Sequence, residues 1–517
     1  MKTEFNKIFF DEVEMTTKQE TYAEATKIPR TAVVPVIADP LTGYLNAAPY
    51  SAGIMSIDPY HILFGVKDWD TKLAFEGITD FVLSIPGKNQ LNATWVMANS
   101  IPHGISEIDV AGCTELPSRQ IKTPGIREFP INFECKKAHL IKLGGALRNL
   151  VIAEVIGISM DASILRKSRE EVVSSLPIHE AIQHHPYTGV YALSALSGEV
   201  EGKWETKPPV PDFDEAEGRV YLSKSQFRDP KYQAVFINAL FPRPTYVVMY
   251  NDDKGIPKGL PVSGGLIMHT KPAVQIPILK DSEAYKCIKA SGKFVVSIPV
   301  RRNIGNFENL EKDSCHDVEK AGFHLLTSGQ IAVPGIEECP VNVECGVILF
   351  EDVPGTNYAL LLGAKVGASI DGDIAKAGNY ISLYTQYPYS VFDWGMVRKW
   401  AFQDDNFLSV LPLPTWGSRS NGGWWGGPEQ WQSGFQFWLM ELVQSAYLEE
   451  AEYHKLKRWI SWWRSEGYLA PEPLRSDVRE RITKVLNMMC WAHRDFDKWH
   501  AVHEYLAEFV YEGTWAC

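Results

Sequence analysis

The sequence predicts a mainly β protein with accessory helices: two tandem barrel-like domains followed by a Trp-rich α-helical domain. Three observations predict it. A strand-like block occurs twice, as FVLSIP from Phe81 and FVVSIP from Phe294. Each is followed about 50 residues on by a second matched block, PINFEC from Pro130 and PVNVEC from Pro340. Third, 13 of the 16 tryptophans lie beyond Tyr389, so the last part of the chain is a different kind of domain. A repeat this long is a pair of whole domains, each with its own core, rather than the turns of a solenoid.

Length and composition set the outer bounds. At 517 residues, three domains are expected. Hydrophobic residues at 45% and charged residues at 22% suit a soluble globular chain. A net charge of −12 argues against nucleic acid or an anionic membrane surface as the main partner. No apolar run reaches the ~18 residues of a spanning helix. The N-terminus mixes charges early and reads as unprocessed. Eight cysteines without a Cys-x-x-Cys spacing are no disulfide framework, which fits a reducing cytoplasm. Cys339 and Cys345 flank a strand and read as buried small apolar residues, with metal or redox thiols as the alternative.

Residues 1–24 are expected to be a polar lead-in with a short helix. Residues 25–215 hold the first copy and its connection. Thr31–Ile37 is rich in β-branched residues and reads as a strand. Asp39–Gly43 is a turn by its Asp, Pro and Gly content. A small-residue segment, Leu45–Gly53, follows. Tyr60–Val66 is the next strand, and Asp70–Thr79 has helical spacing. The FVLSIP strand, a polar helical stretch to Val110, the PINFEC strand and Leu147–Ser159 complete the copy. Residues 165–215 read as an extended linker or arm, with Pro208, Pro209 and Pro211. Residues 216–390 hold the second copy. Pro242-Arg243-Pro244 opens its first strand and Asp252–Gly255 makes its turn. Pro261–Gly265 echoes Pro49–Gly53. His103 and His316 match in position, ahead of Ala111-Gly112 and Ala321-Gly322. Residues 391–517 are expected to be two long antiparallel helices, with Ser476 as the N-cap of the second.

Familiar chemical signatures are missing. There is no Gly-x-Gly-x-x-Gly after a strand, no phosphate loop and no Gly-x-Ser-x-Gly elbow. His179, Glu180 and His184 are spaced one residue too far for a shared metal on a helix, and no metal is expected. His493, His500 and His503 share one helical face and read as a half-buried stripe. What remains is Asn46–Ser51 (NAAPYS). Small residues at a strand edge let a ligand approach the backbone, and Ser or Thr hydroxyls with exposed N–H groups suit a phosphate. The Asn46 amide suits the edge of a heteroaromatic ring. Thr71 opens a helix, a place for an anion. A tight turn with a helix cap explains the same residues, and from spacing alone it is the favoured reading.

Each copy resembles the flavin reductase-like, FMN-binding split-barrel family that includes the flavoredoxins. In the first copy the resemblance rests on Asn46–Ser51, Asp58-Pro59, Asp70-Thr71, Phe81–Pro86, Ala111-Gly112 and Pro130–Cys135. In the second it rests on Pro242–Pro244, Phe294–Pro299, Ala321-Gly322 and Pro340–Cys345. It implies FMN, with Asn46, Ala47, Ala48 and Ser51 lining the flavin and Thr71 near its phosphate. The second copy has Lys258-Gly259-Leu260 and Glu283-Ala284 at the matching places, so its flavin site is expected to be degenerate. Trp69 and Ala74 depart from the family's usual Lys and Asn. The implied arrangement is an internal pseudo-dimer, open to further homo-oligomerisation, with Arg243 as a remote charge.

The implied function is an FMN-dependent oxidoreductase, with NAD(P)H as the candidate electron donor and a small organic molecule or flavin as acceptor. An electron carrier and a non-catalytic barrel scaffold stand as alternatives. Trp424 and Trp425, between glycines, are candidates for a lid over a planar ligand; a loop whose tryptophans pack on the helical domain is the favoured alternative. No catalytic acid or base can be assigned; His103 is a candidate because imidazole titrates near neutrality, with a surface or capping role the favoured alternative.

Overall fold

The computed structural model describes residues 6–17, 30–38, 43–47, 50–52, 61–66, 78–87, 105–141, 149–163, 178–182, 191–195, 200–201, 214–227, 243–263, 266–268, 273–372, 389–394, 397–402 and 408–411, with isolated positions 90, 93, 94, 97, 476, 480 and 483. Strands form where β-branched and aromatic residues run together or alternate. A lead strand β1 (Lys7–Asp11) enters a short helix α1 (Glu12–Thr17). The first copy supplies β2 (Arg30–Ala38), β3 (Leu45–Ala47), β4 (Tyr50–Ala52), β5 (His61–Val66), β6 (Asp80–Ile85), α2 (Glu107–Val110), β7 (Glu115–Leu116), β8 (Gly125–Ile126), β9 (Ile131–Ile141) and β10 (Asn149–Asp161). Next come β11 (Ile178–Ile182), β12 (Tyr191–Ala195), β13 (Val200–Glu201), β14 (Asp214–Ala216), β15 (Arg219–Ser223) and α3 (Lys224–Phe227). The second copy supplies β16 (Arg243–Asn251), β17 (Pro257–Ser263), β18 (Leu266–Met268), β19 (Ala273–Leu279), α4 (Glu283–Ser291), β20 (Lys293–Ile298), α5 (Ile304–Lys312), β21 (Leu325–Leu326), β22 (Gly335–Ile336), β23 (Val341–Asp352) and β24 (Tyr358–Asp371). Then follow β25 (Tyr389–Trp394), β26 (Val397–Phe402) and β27 (Leu408–Leu411).

The two copies share one antiparallel plan. The first runs β5-β10-β9-β6-β2, with β3 and β4 on the far side of β2. The second runs β19-β24-β23-β20-β16, with β17 on β16. Register fixes the equivalence: Val34 pairs with Ser84 as Val247 pairs with Ser297. In the second copy both sheet faces are buried. Tyr246, Val248 and Tyr250 face an inner core with Phe294, Val296, Val343 and Leu361. Val247 and Met249 face Phe307 and Leu310 of α5, with Val318 and Phe323.

The blocks that betray the duplication hold their place because they carry a buried polar network. Ser84 Oγ donates to Asn132 Oδ1 at 2.6 Å, and Ile126 N donates to the same oxygen at 2.9 Å. In the second copy Ser297 Oγ and Ile336 N reach Asn342 Oδ1 at 2.6 and 2.8 Å. Glu134 accepts from Arg119 N and Gln120 N, as Glu344 accepts from Gly329 N and Gln330 N. The Ser, Asn and Glu of the motifs thus satisfy backbone groups of a loop folded over the sheet. A Cβ on Gly125 would lie 2.5 Å from Asn132 Oδ1, and one on Gly335 2.8 Å from Asn342 Oδ1.

The copies exchange strands reciprocally. β1 precedes the first copy yet pairs with β24 of the second, Lys7 opposite Asp371 and Asp11 opposite Gly367. β15 precedes β16, the first strand of the second copy's sheet, and falls within the 216–390 expected for that copy, yet it pairs with β10 of the first, Arg219 opposite Asp161 and Ser223 opposite Gly157. The exchange recurs further on. β27 pairs with β12, and β13 pairs with β26. Between the copies Ile141, Leu150 and Ile152 share one apolar cluster with Val353, Leu360 and Leu362. His139 Nε2 lies 2.8 Å from Glu351 Oε1 across the same face.

Several expectations change. The lead-in contains a strand as well as the helix, and Phe10 and Met15, 4% and 6% exposed, belong to the second copy's core. The supposed linker contains β11 and β12, a hairpin that pairs with β2. His179 and Glu180 therefore lie on a strand, not a helix. The corresponding hairpin β25–β26 pairs with β16, so strand structure continues past residue 390. In the expected Trp-rich helical domain, Ser476, Glu480 and Thr483 are helical, so Ser476 lies within the helix. Residues 391–394, 397–402 and 408–411 of the same expected helical domain are strands instead, and its remainder, including the His493, His500 and His503 stripe, lies outside the described residues. Of the expected helix Asp70–Thr79, Ile78 and Thr79 are not helical and the rest lies outside the described residues.

Candidate functional site

The small-residue segment becomes two short strands on the open side of β2. Ile37 pairs with Asn46 and Val36 with Ala47; Ala32 pairs with Ser51. The turn α2 reaches the same corner. Ser106 caps it, its Oγ accepting from Asp109 N at 3.3 Å. Ile105, Ile108 and Val110 bury its apolar side, and Gly112 leaves it with φ of 68°. That left-handed turn is what glycine allows.

Glu107 stands on the buried side of this turn, only 5% exposed, whereas Asp109 faces out. Its Oε1 accepts from Asn46 Nδ2 at 2.9 Å and its Oε2 from Ala47 N at 3.1 Å. Asn46 Oδ1 is buried and has no partner among the described residues. A buried acceptor left dry costs about 1–3 kcal/mol. An N–H donor on a bound ring would relieve it. The corner fits a ligand with such a donor.

Among the candidates, Asn46 and Ala47 on β3 and Ser51 on β4 are brought to one edge of β2. Ala47 is fully buried and its N–H is engaged by Glu107. Ala48, Thr71, His103, Trp424 and Trp425 lie outside the described residues. Glu107 was not foreseen from sequence. The one available signal was faint: Glu107 shares its turn with Ser106 and Asp109, and Ile105, Ile108 and Val110 around it are apolar.

The matching corner of the second copy is built differently. Lys258 pairs with Tyr250, Gly259 with Met249 and Ser263 with Thr245, the stations of Asn46, Ala47 and Ser51. Gly259 N donates to the His316 carbonyl at 3.0 Å. A Cβ there would lie 2.8 Å from Val318 Cγ2 and 2.9 Å from Val247 Cγ1, so side chains already fill the space. At α4, Ser282 Oγ takes the free Tyr285 N–H, Ala284 is buried, and Glu283 accepts from Tyr250 Oη. A carboxylate at that helix start opposes an anion. Burial and Glu283 push the Tyr250 hydroxyl pKa up. Burial lowers that of His316, which holds φ of 51°.

Three thiols are set by burial against redox or metal chemistry. Cys135, Cys339 and Cys345 are fully buried, and burial pushes their pKa values up. The reactive form is the thiolate. Among the described residues no helix is long and apolar enough to cross a membrane.

Two stretches, residues 29–172 and 238–390, match the flavin reductase like domain, together more than half of the chain. An uncharacterized protein of Halalkalibacterium halodurans is 31% identical over 110 residues, 20% of this chain and 53% of that protein. One of Methanothermobacter thermautotrophicus is 29% identical over 96 residues, 18% of this chain and 45% of that protein. The chain spans about half the length of the curated relatives it matches. Among solved structures, nitrilotriacetate monooxygenase component B from Bacillus cereus is 26% identical, with a TM-score of 0.31, over 37% of this chain and 93% of its own. Flavoredoxin from Methanosarcina acetivorans is 20% identical, with a TM-score of 0.28, over 33% and 88%.

Proposed function

The chain belongs to the flavin reductase-like domain family, and from that premise we propose an FMN-dependent oxidoreductase whose flavin is held by the first copy. The observation that carries this reading is the contrast between the two corners. The first keeps an amide with a buried, unpartnered acceptor; the second is filled by Val318 and Val247. Asn46 would meet the ring edge. Ala48, Ser51 and Thr71 would complete the ring and phosphate contacts.

FMN supplies the hydride or electron chemistry, with NAD(P)H as the proposed donor and a small organic molecule or flavin as the acceptor. The chain's own residues bind and orient. Glu107 fixes the Asn46 amide, and the buried turn that carries Glu107 keeps water from the corner. The residues outside the corner that would admit a substrate, Trp424 and Trp425 among them, belong to the same proposal.

The test is an absorbance spectrum of the purified chain, then FMN titration to a stoichiometry. One flavin per chain is expected. Two per chain would refute the asymmetry, and none at high FMN would refute a flavin role. Changing Ser51 and Thr71 together should abolish flavin retention, whereas changing Ser263 should not. NADH or NADPH oxidation with and without an added acceptor separates an enzyme from an electron carrier.

A further inference from the structure

The two members of the corner pair are separated by 61 residues in sequence and meet only because α2 folds back onto β3. A carboxylate oxygen only accepts, whereas an Asn side chain carries one accepting oxygen and one donating nitrogen. With Nδ2 against Glu107 Oε1, the Asn46 oxygen must point the other way. Turning the amide over would set its oxygen against a carboxylate and lose the 2.9 Å bond. The second carboxylate oxygen is held by Ala47 N, so Glu107 cannot swing aside without giving up that bond.

We infer that Glu107 is a positioning residue for ligand selection: it locks the Asn46 amide so that Oδ1 faces the ligand as an acceptor, which selects a ring bearing an N–H donor at that edge. This rests on the flavin reading above. The oxidised isoalloxazine ring carries a single N–H, at N3, and that is the group assigned to Asn46 Oδ1. The second copy supports the pairing of roles, because both members are changed there together. Lys258 stands at the Asn46 station. Asp317 stands at the Glu107 station, its carbonyl accepting from Ala321 N as that of Glu107 accepts from Ala111 N. Its side chain turns back to accept from Lys320 N at 3.1 Å, and Gly259 N is left to the His316 carbonyl.

The experiment compares FMN with N3-methylated FMN by equilibrium titration of the flavin-free full chain. The wild type should bind FMN about 10- to 100-fold more tightly, because a methyl group removes the donor and leaves the oxygen buried and dry. Glu107→Gln offers a donor as well as an acceptor, so the Asn46 amide can turn over. Discrimination should then fall to within about threefold, with the thermal midpoint and near-ultraviolet circular dichroism unchanged. Asn46→Ala should also lose discrimination, and it decides the matter if Glu107→Gln does not fold. Equal affinity of the wild type for both flavins overturns the inference while leaving the flavin role intact. Full discrimination retained in Glu107→Gln overturns the role given to Glu107. Binding of neither flavin overturns the flavin reading itself.

Discussion

Lys7 Nζ lies 2.5 Å from Asp371 Oδ1, although 364 residues separate them. The same ammonium donates to the Cys339 carbonyl at 2.6 Å. Arg219 holds the mirrored station in the other copy. Its Nη1 donates to the Arg127 and Phe129 carbonyls, and its Nη2 to the Pro130 carbonyl. Each cation enters on a strand exchanged from the neighbouring copy and ties off the loop before the Asn-containing strand. The Lys7 side chain is 4% exposed, so its charge is compensated almost wholly by protein.

Replacing Lys7 with Met should therefore destabilise the chain. Removing one partner of a buried pair typically costs about 3–5 kcal/mol. Arg302 Nη2, 3.1 Å from Asp371 Oδ2, keeps that carboxylate partly paired, so the lower end is expected. Urea unfolding of the variant measures it, and an unchanged midpoint would contradict the burial argument.

Phe10 makes a sharper test of the exchange. It sits in the second copy's core beside residues more than 230 positions away. Phe10→Ala should cost about 3–5 kcal/mol. Hydrogen exchange should quicken along Tyr358–Asp371, the partner strand, before it quickens along Asn149–Asp161. Equal effects on both strands would mean that β1 does not support the second copy specifically.

The Asn-centred networks should affect stability without selecting ligand. Gly335→Ala pushes a Cβ to 2.8 Å from Asn342 Oδ1. Asn342→Ala strips partners from Ser297 Oγ and Ile336 N, at about 1–3 kcal/mol for each buried group left unpaired. Both variants should lower the thermal midpoint and leave flavin stoichiometry unchanged. Loss of flavin without loss of stability would assign the second copy a binding role.

The thiols give a pH-dependent test. Burial, with Glu128 nearby, pushes the Cys113 pKa up to about 12. Its protonated form is favoured by folding, so its contribution to stability is full below pH 9, the ordinary value, and is lost as pH rises towards 12. At pH 8 iodoacetamide should label exposed Cys315 much faster than Cys113 in the folded chain. Similar rates would show that Cys113 is not desolvated.

Much of the fold was legible because it is local and occurs twice. FVLSIP and FVVSIP are β-rich in themselves, and their Ser, like the Asn and Glu of the matched PINFEC and PVNVEC blocks, serves the same buried groups in each copy. The change from Asn46-Ala47 to Lys258-Gly259 was legible for the same reason, since one copy could be laid beside the other. The Glu107 clamp was not legible. Its partners are 60 and 61 residues away, and nothing in the spacing says that α2 folds onto β3.

The sequence by itself determined two copies of one strand order and which copy retains the Asn amide, because both properties reside in side chains read in register. Tertiary structure alone decided where the lead strands go. A segment such as KIFFD declares its extended conformation through its own residues, but not its partner. Backbone hydrogen bonding is the same for any neighbour. The choice of β24 over β10 follows from fit in three dimensions: Phe10 fills the second core, and Lys7 meets Asp371.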